Sequence, residues 1–325
     1  MRNLKKIFIT IYLFIFFKFP VLADNNNQKV TINNIVTFGD SLSDNGNYLN
    51  ASKETSNPMP LKPYFAGRAS NGKIWLEYLA EENNFKMLNY AFLGALTSGK
   101  NPRYPEAVDL INQINKFENE NKGKDFSKKM FFLWAGANNI FKMNIKEPIE
   151  TFNTLYNLTN DISQSLTKLK NLGAKNIFIA NIPDLGNIAL TTEIDSFKKM
   201  KWILSNITKL ENYLLDKKIA NFRDENKDIN LIYFDAFEFL NKVRQNPGRY
   251  FVSNIKNACY VGVPSKPAIP DESCSKSQEF LFWDLVHPTT KIHCFAAIEV
   301  GKVLKEKYQL NSKNNLTDKF CSDLK

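Results

Sequence analysis

The segment Asn34-Ile35-Val36-Thr37-Phe38-Gly39-Asp40-Ser41 decides the fold. Its first five residues are mostly apolar or β-branched, so they predict a buried strand. Gly39 permits a tight turn after that strand, and Ser41 follows at the junction with a helix. A serine at this position can project its hydroxyl above the edge of a sheet. The same position also suits an ordinary helix N-cap.

The rest of the chain alternates short β-rich runs with longer amphipathic segments. The predicted strands are Asn34–Phe38, Lys86–Ala91, Lys129–Trp134, Asn176–Ala180 and Ile229–Phe234. The predicted helices are Ile74–Glu82, Glu106–Asn121, Glu147–Leu172, Asp195–Asp224 and Pro288 to about Tyr308. Such alternation indicates βαβ units. We expect one α/β domain over residues 24–325, a three-layer α/β/α sandwich with a central parallel sheet.

The first residues of the chain differ from the rest. Three basic residues precede an apolar run over Ile7–Phe17, and Ala23 stands where a signal peptidase would cleave. The apolar run is short for a membrane span, which needs about 20 residues. We therefore expect a signal peptide over residues 1–23 and a secreted or periplasmic protein. An uncleaved membrane anchor is the alternative.

The chain of 325 residues has a formal net charge of +10. Four basic residues lie within residues 1–23, so the remainder carries 39 basic against 33 acidic residues. This modest positive excess favours anionic surfaces such as phospholipid membranes. The basic residues form no recognisable motif, which argues against nucleic-acid binding.

The four cysteines are Cys259, Cys274, Cys294 and Cys321. They form no Cys-x-x-Cys pair and the chain has two histidines, so neither a zinc site nor a cofactor is expected. In an exported protein, disulfides are the better interpretation. We expect Cys259 to pair with Cys274 across a segment with three prolines. The pairing of Cys294 with Cys321 stays open, because Cys321 lies in a polar tail.

Two further strand ends carry residues suited to a site, since ligands of open α/β sheets bind beyond the carboxyl ends of the strands. Gly94 follows the second predicted strand and would let the backbone approach a ligand closely. Asn138 follows the third and could donate a hydrogen bond to a developing oxyanion. A turn glycine and a helix cap are the respective alternatives.

Asp284 and His287 lie three residues apart near the C-terminus. The carboxylate can hold one ring nitrogen of the imidazole and leave the other free to act as a base. The second histidine, His293, lies within a predicted helix and has no acid close by in sequence. A serine mechanism therefore favours His287.

These blocks, in this order, resemble the GDSL lipase/acyltransferase family, also called SGNH hydrolases. The blocks are Gly39-Asp40-Ser41-Leu42-Ser43, Gly94, Gly136-Ala137-Asn138 and Asp284-Leu285-Val286-His287, within a resemblance that spans residues 35 to about 308. The resemblance implies a flavodoxin-like sheet. It also implies that Ser41 is the nucleophile, His287 its base and Asp284 the residue that orients the base. The N–H groups of Ser41 and Gly94 and the side chain of Asn138 would form the oxyanion hole.

Other positions refine the resemblance. Pro63-Tyr64-Phe65 and Ser70-Asn71-Gly72 also match, without an implied role. Leu93 replaces the first glycine of a common Gly-Gly pair, and Asn139 replaces the usual aspartate. Neither departure affects the residues of the implied triad.

The long motifs Phe38–Asn47 and Leu281–Thr289 resemble those of a bacterial subgroup of secreted enzymes. Its members are phospholipases A, lysophospholipases A and glycerophospholipid:cholesterol acyltransferases. This implies a phospholipid or lysophospholipid substrate, cholesterol as an acyl acceptor and transient contact with a membrane surface. A carbohydrate or acetyl-ester esterase and a non-enzymatic lipid-binding protein are the alternatives. We also hypothesise that the loop 259–274 is a lid over the site; a passive surface loop is the other interpretation.

Overall fold

The computed structural model describes residues 29–266 and 273–324. The strands in these ranges are β1 Val30–Thr31, β2 Asn34–Gly39, β3 Lys86–Asn89, β4 Lys129–Trp134, β5 Asn176–Ala180, β6 Asn230–Phe234, β7 Asn254–Ala258, β8 Phe280–Phe282 and β9 Tyr308–Gln309. Among the described residues, five of them form a parallel sheet in the order β3-β2-β4-β5-β6. Two short pairs, β1 with β9 and β7 with β8, lie outside that sheet.

Helices connect the strands and cover both faces of the sheet. They are α1 Asn47–Ser52, α2 Trp75–Asn83, α3 Leu110–Glu120, α4 Ala137–Lys142, α5 Pro148–Asn171, α6 Leu190–Glu193, α7 Asp195–Lys198, α8 Lys201–Glu225, α9 Ala236–Gln245, α10 Thr290–Lys307 and α11 Asp318–Ser322. None of the helices in the described ranges is both long and apolar enough to cross a bilayer.

The sheet separates two apolar cores. Consecutive side chains of β4 enter opposite cores: Phe131 packs with residues of α3, α5 and α8, whereas Phe132 packs with residues of α2, α9 and α10. The sequences of these strands are continuously apolar because both faces of the sheet are covered. The predicted three-layer sandwich is confirmed.

The five predicted strands all form, with small changes at their ends. The helix predicted from Glu106 begins instead at Leu110, because the Asp109 side chain accepts a hydrogen bond from the Asn112 N–H and caps the helix there. The single helix predicted over Asp195–Asp224 is two helices, α7 and α8. Several short elements were not predicted, among them α4, α9 and the β7–β8 pair.

The strand order opens a crevice at one edge of the sheet. β2 lies between β3 and β4, so the connections that leave β2 and β4 diverge at their carboxyl ends. Gly39 is paired with Trp134, the last residue of β4, and the Asp40 N–H donates to the Trp134 carbonyl at 3.2 Å. Ser41 and Asn138 therefore leave the sheet at the same edge.

Two disulfides cross-link the C-terminal third of the chain. Cys259 bonds to Cys274, as expected, and Cys294 bonds to Cys321, which joins α10 to α11. The expected signal peptide lies outside the described residues.

The closeness of β2 and β4 leads to a prediction about Gly39. An ideal Cβ at this position would lie 2.1 Å from the Trp134 carbonyl oxygen. Gly39→Ala should therefore lower the free energy of unfolding by about 3 kcal/mol, measured by urea denaturation. The control is Gly248→Ala, whose Cβ would meet nothing within 4 Å. Equal stability of the two variants would contradict the prediction.

Candidate active site

Ser41, His287 and Asp284 form a continuous hydrogen-bonded chain at the carboxyl edge of the sheet. His287 Nε2 lies 2.8 Å from Ser41 Oγ, and His287 Nδ1 lies 2.8 Å from Asp284 Oδ2. All three residues are buried. With a proton on Nδ1, the imidazole presents Nε2 as an acceptor to the serine hydroxyl. This arrangement can remove a proton from Oγ.

Local geometry around Asp284 holds the imidazole in place. Asp284 Oδ1 accepts hydrogen bonds from the backbone N–H of Val286 at 2.8 Å and of His287 at 2.6 Å. The side chain of Asp284 is fully buried, and a buried carboxylate is costly unless its oxygens are satisfied. The turn Asp284–His287 thus stabilises the same carboxylate that contacts the imidazole.

Tyr64 donates a further hydrogen bond to this carboxylate. Its hydroxyl donates to Asp284 Oδ2 at 2.8 Å. Burial, followed by the charge of Asp284, raises the pKa of Tyr64, so the phenol stays protonated and remains a donor. The rings of Tyr260 and Trp283 pack edge-on against the Tyr64 ring. The motif Pro63-Tyr64-Phe65 matches the family, but the partner of Tyr64 lies 220 positions away and was not predictable from the sequence.

Gly94 and Asn138, the two expected oxyanion-hole residues, line the same cavity as Ser41. Gly94 has a φ of 75°, and a Cβ there would lie 2.2 Å from the Tyr104 ring, so no other residue fits without rearrangement. Asn138 Nδ2 donates to the Ala95 carbonyl at 3.1 Å. The amide has two N–H donors, so this bond does not exhaust its donor capacity.

Asp44 holds the loop that contains Gly94. Its Oδ2 accepts from the Leu93 N–H at 2.7 Å, and its Oδ1 accepts from the N–H groups of Gly46 and Asn47 at 2.8 and 2.6 Å. Burial raises the pKa of Asp44 to about 6, although these hydrogen bonds oppose the shift. Leu93, the first departure from the family pattern, leaves this contact intact because the contact uses only its backbone.

His293 lies in a different environment from His287. It is 3% exposed, and its Nε2 has no hydrogen-bond partner among the described residues. Burial lowers its pKa to about 3, so the ring is neutral near neutral pH. A buried imidazole without a carboxylate contact lacks the orienting partner that His287 has.

A cavity of about 670 Å³ extends from Ser41 into the side of the molecule formed by α9 and α10. Its lining is largely apolar and includes Leu190, Phe197, Phe239, Leu240, Phe282 and Ile292. Val261 and Val263, from the disulfide-closed loop, also line it. Residues 267–272, the centre of the hypothesised lid, lie outside the described residues.

No group of three or more His, Cys, Asp or Glu side chains is placed to hold a metal ion in the described part of the chain. The reactive groups that the described residues bring together are the Ser41 hydroxyl, the His287 imidazole and the Asp284 carboxylate.

A sequence model of the GDSL-like lipase/acylhydrolase family matches residues 35–300. The chain belongs to this family. Relatives of the chain include two bacterial proteins. The thermolabile hemolysin of Vibrio parahaemolyticus is 27% identical over 90% of this chain and 66% of its own length, so the match spans just under two thirds of that protein. The phosphatidylcholine-sterol acyltransferase of Aeromonas hydrophila is 25% identical over 87% of this chain and 93% of its own length.

Solved structures similar to this chain include that of Est24, a carbohydrate acetylesterase from Sinorhizobium meliloti. It is 12% identical, with a TM-score of 0.47, over 84% of this chain and 99% of its own.

The Tyr64 contact generates a prediction for this GDSL site. Tyr64→Phe removes one donor to Asp284 and should lower kcat on a soluble p-nitrophenyl ester by about tenfold, with little change in KM. The control is Tyr90→Phe, because the Tyr90 hydroxyl also bonds a carboxylate, that of Glu120 at 2.6 Å, but on the exposed surface. Equal kcat values for both variants would show that the Tyr64 hydroxyl does not position the triad.

Proposed function

We propose that the protein is an ester hydrolase that acts through an acyl-Ser41 intermediate. Ser41 Oγ attacks the ester carbonyl carbon while His287 Nε2 takes the hydroxyl proton, and Asp284 stabilises the imidazolium that forms. The imidazolium then gives its proton to the leaving alcohol. Water or a second alcohol attacks the acyl-serine by the same steps in reverse. The observation that carries the proposal is the 2.8 Å contact between Nε2 and Oγ within a buried chain to Asp284.

Backbone and side-chain donors would stabilise the negative charge on the carbonyl oxygen. The N–H groups of Ser41 and Gly94 and the amide of Asn138 are the donors in this proposal. Such groups act most strongly when they are fixed before the reaction begins, and Asp44 fixes the Gly94 loop through the Leu93 N–H.

The substrate we propose is a phospholipid or lysophospholipid, with sterol as an alternative acyl acceptor to water. The apolar cavity beside Ser41 suits a long acyl chain, and the relative from Aeromonas hydrophila is named a phosphatidylcholine-sterol acyltransferase. An esterase for acetylated carbohydrates would need more polar groups to bind sugar hydroxyls. Two disulfides fit the proposed secreted or periplasmic location.

The lipid proposal is tested by product analysis. Incubation with lysophosphatidylcholine should release fatty acid, and added cholesterol should yield cholesteryl ester, both identified by mass spectrometry. Ser41→Ala should abolish both products and labelling by a fluorophosphonate probe. Release of acetate from acetylated xylan with the lipid left intact would favour the carbohydrate esterase. Labelling of Ser41→Ala equal to that of the parent would refute Ser41 as nucleophile.

The identity of the base is tested by a pair of histidine variants. His287→Asn should lower kcat by about 10³-fold or more, because the serine hydroxyl loses its proton acceptor. His293→Asn should change kcat far less once its effect on the melting temperature is known. A larger kcat loss in His293→Asn at unchanged stability would reverse the assignment.

A further inference from the structure

Helix α5 carries an apolar stripe on its solvent side. Ile149, Phe152 and Tyr156 are 78%, 67% and 57% exposed, whereas Leu155 and Leu158 of the same helix are buried. The spacing of three and seven residues places the exposed side chains on one face. The rings of Phe152 and Tyr156 stack with centroids 6.2 Å apart. A helix that faces only water places polar residues there, so the stripe indicates a partner.

The start of α8 carries a further exposed aromatic residue. Trp202, the second residue of α8, is 74% exposed. α5 and α8 both run from the carboxyl edge of the sheet to its amino edge, and the Thr159 hydroxyl joins them by donating to Glu211 Oε1 at 2.9 Å. At 1.5 Å per residue, Phe152 and Trp202 lie roughly 10 and 14 Å from that contact toward the carboxyl edge. The exposed aromatic residues therefore lie at the edge that carries Ser41.

Chain segments that line the cavity beside Ser41 lead directly into both helices. Phe197 lines the cavity and precedes Trp202 by five positions. Lys142 also lines the cavity and ends α4, the helix just before α5. The exposed apolar residues and the apolar cavity thus belong to the same edge of the sheet.

The charge around Trp202 is positive. Residues 195–209 contain Lys198, Lys199, Lys201 and Lys209 against the single acid Asp195. Around the start of α5, Lys142 and Lys146 are balanced by Glu147 and Glu150. The excess of positive charge therefore comes from the residues around the start of α8. Exposed aromatic rings and lysines are the side chains that settle at a membrane interface, rings among the headgroups and ammonium groups toward anionic lipids.

We propose that the surface formed by Ile149, Phe152, Tyr156 and Trp202 docks the protein on an anionic phospholipid bilayer. This inference rests on the lipid substrate proposed above. Docking would set the cavity against the bilayer, so that an acyl chain passes from lipid to cavity with little exposure to water. The lysines of α7 and α8 supply the attraction to anionic headgroups, and the aromatic rings supply the apolar contact.

Vesicle binding tests the surface directly. Binding is measured by co-sedimentation in the Ser41→Ala background, so that the lipids stay intact, with vesicles of phosphatidylcholine alone or mixed equally with phosphatidylglycerol. Phe152→Ser combined with Trp202→Ser should weaken binding to the mixed vesicles by about tenfold or more. Lys199→Gln combined with Lys201→Gln should weaken binding to the mixed vesicles and leave binding to the phosphatidylcholine vesicles unchanged.

The matched control is Tyr213→Ser. Tyr213 is an aromatic residue of α8 that is 56% exposed and lies 11 positions beyond Trp202, away from the carboxyl edge. Its loss should change binding by about twofold or less. A double serine variant that binds the mixed vesicles as tightly as the parent overturns the proposal. The proposal is also overturned if the parent binds no vesicles but self-associates, and Trp202→Ser abolishes that self-association. A second copy of the chain is then the partner of this surface.

Activity assays separate this proposal from the proposed substrate. With Ser41 present, the double serine variant should hydrolyse monomeric dihexanoyl-phosphatidylcholine at the parental rate and vesicle phospholipid about tenfold more slowly. A parent that leaves the monomeric lipid intact refutes the phospholipid substrate, whatever the vesicle binding. A parental rate on both lipids in the double variant refutes the docking surface alone.

Discussion

The pairing of β2 with β4 is the constraint on which the site depends. The two strands end together at Gly39 and Trp134, and only a glycine allows the backbones to approach so closely. The buried side chain of Gln113 holds both the N–H and the carbonyl of Gly39, at 2.8 and 2.9 Å. Because these bonds fix the end of β2, Ser41 leaves the sheet in one direction. The crevice between the diverging connections is where the remaining site residues gather.

His287 reaches this crevice from the far end of the chain, and polar contacts with the N-terminal half hold it there. Tyr64 donates to Asp284, and Asn71 Oδ1 accepts from the Thr290 N–H at 2.8 Å, which caps α10 directly after the turn Asp284–His287. Both contacts are buried or partly buried, where an unpaired group would be costly. The packing of the two ends of the chain is thus specified by hydrogen bonds as well as by the apolar core.

The sequence allowed the sheet and the contact between Asp284 and His287 to be predicted because both depend on local pattern. Apolar runs mark strands covered on both faces, and the turn Asp284–His287 places acid and base within one another's reach. The roles of Tyr64 and Asp44 were not predictable, since each depends on a partner set by the tertiary fold. The break between α7 and α8 was not predicted because residues 195–224 contain no glycine or proline that would mark it.

Asn139 shows how the site accommodates a departure from the family pattern. Its Oδ1 accepts from the Thr97 N–H at 3.1 Å and its Nδ2 donates to Thr97 Oγ1 at 2.9 Å, so it needs both an acceptor and a donor. A carboxylate can only accept. The Thr97 hydroxyl is left to donate to Asp161 Oδ2 at 2.7 Å, and Ser98 donates to the same oxygen at 2.6 Å. An aspartate at position 139 would compete with Asp161 for the one hydroxyl proton of Thr97 and would add a second negative charge. An amide at position 139 is therefore compatible with the Asp161 carboxylate, which α5 supplies. Together with Asp44, these contacts hold the loop that carries Gly94 from both sides.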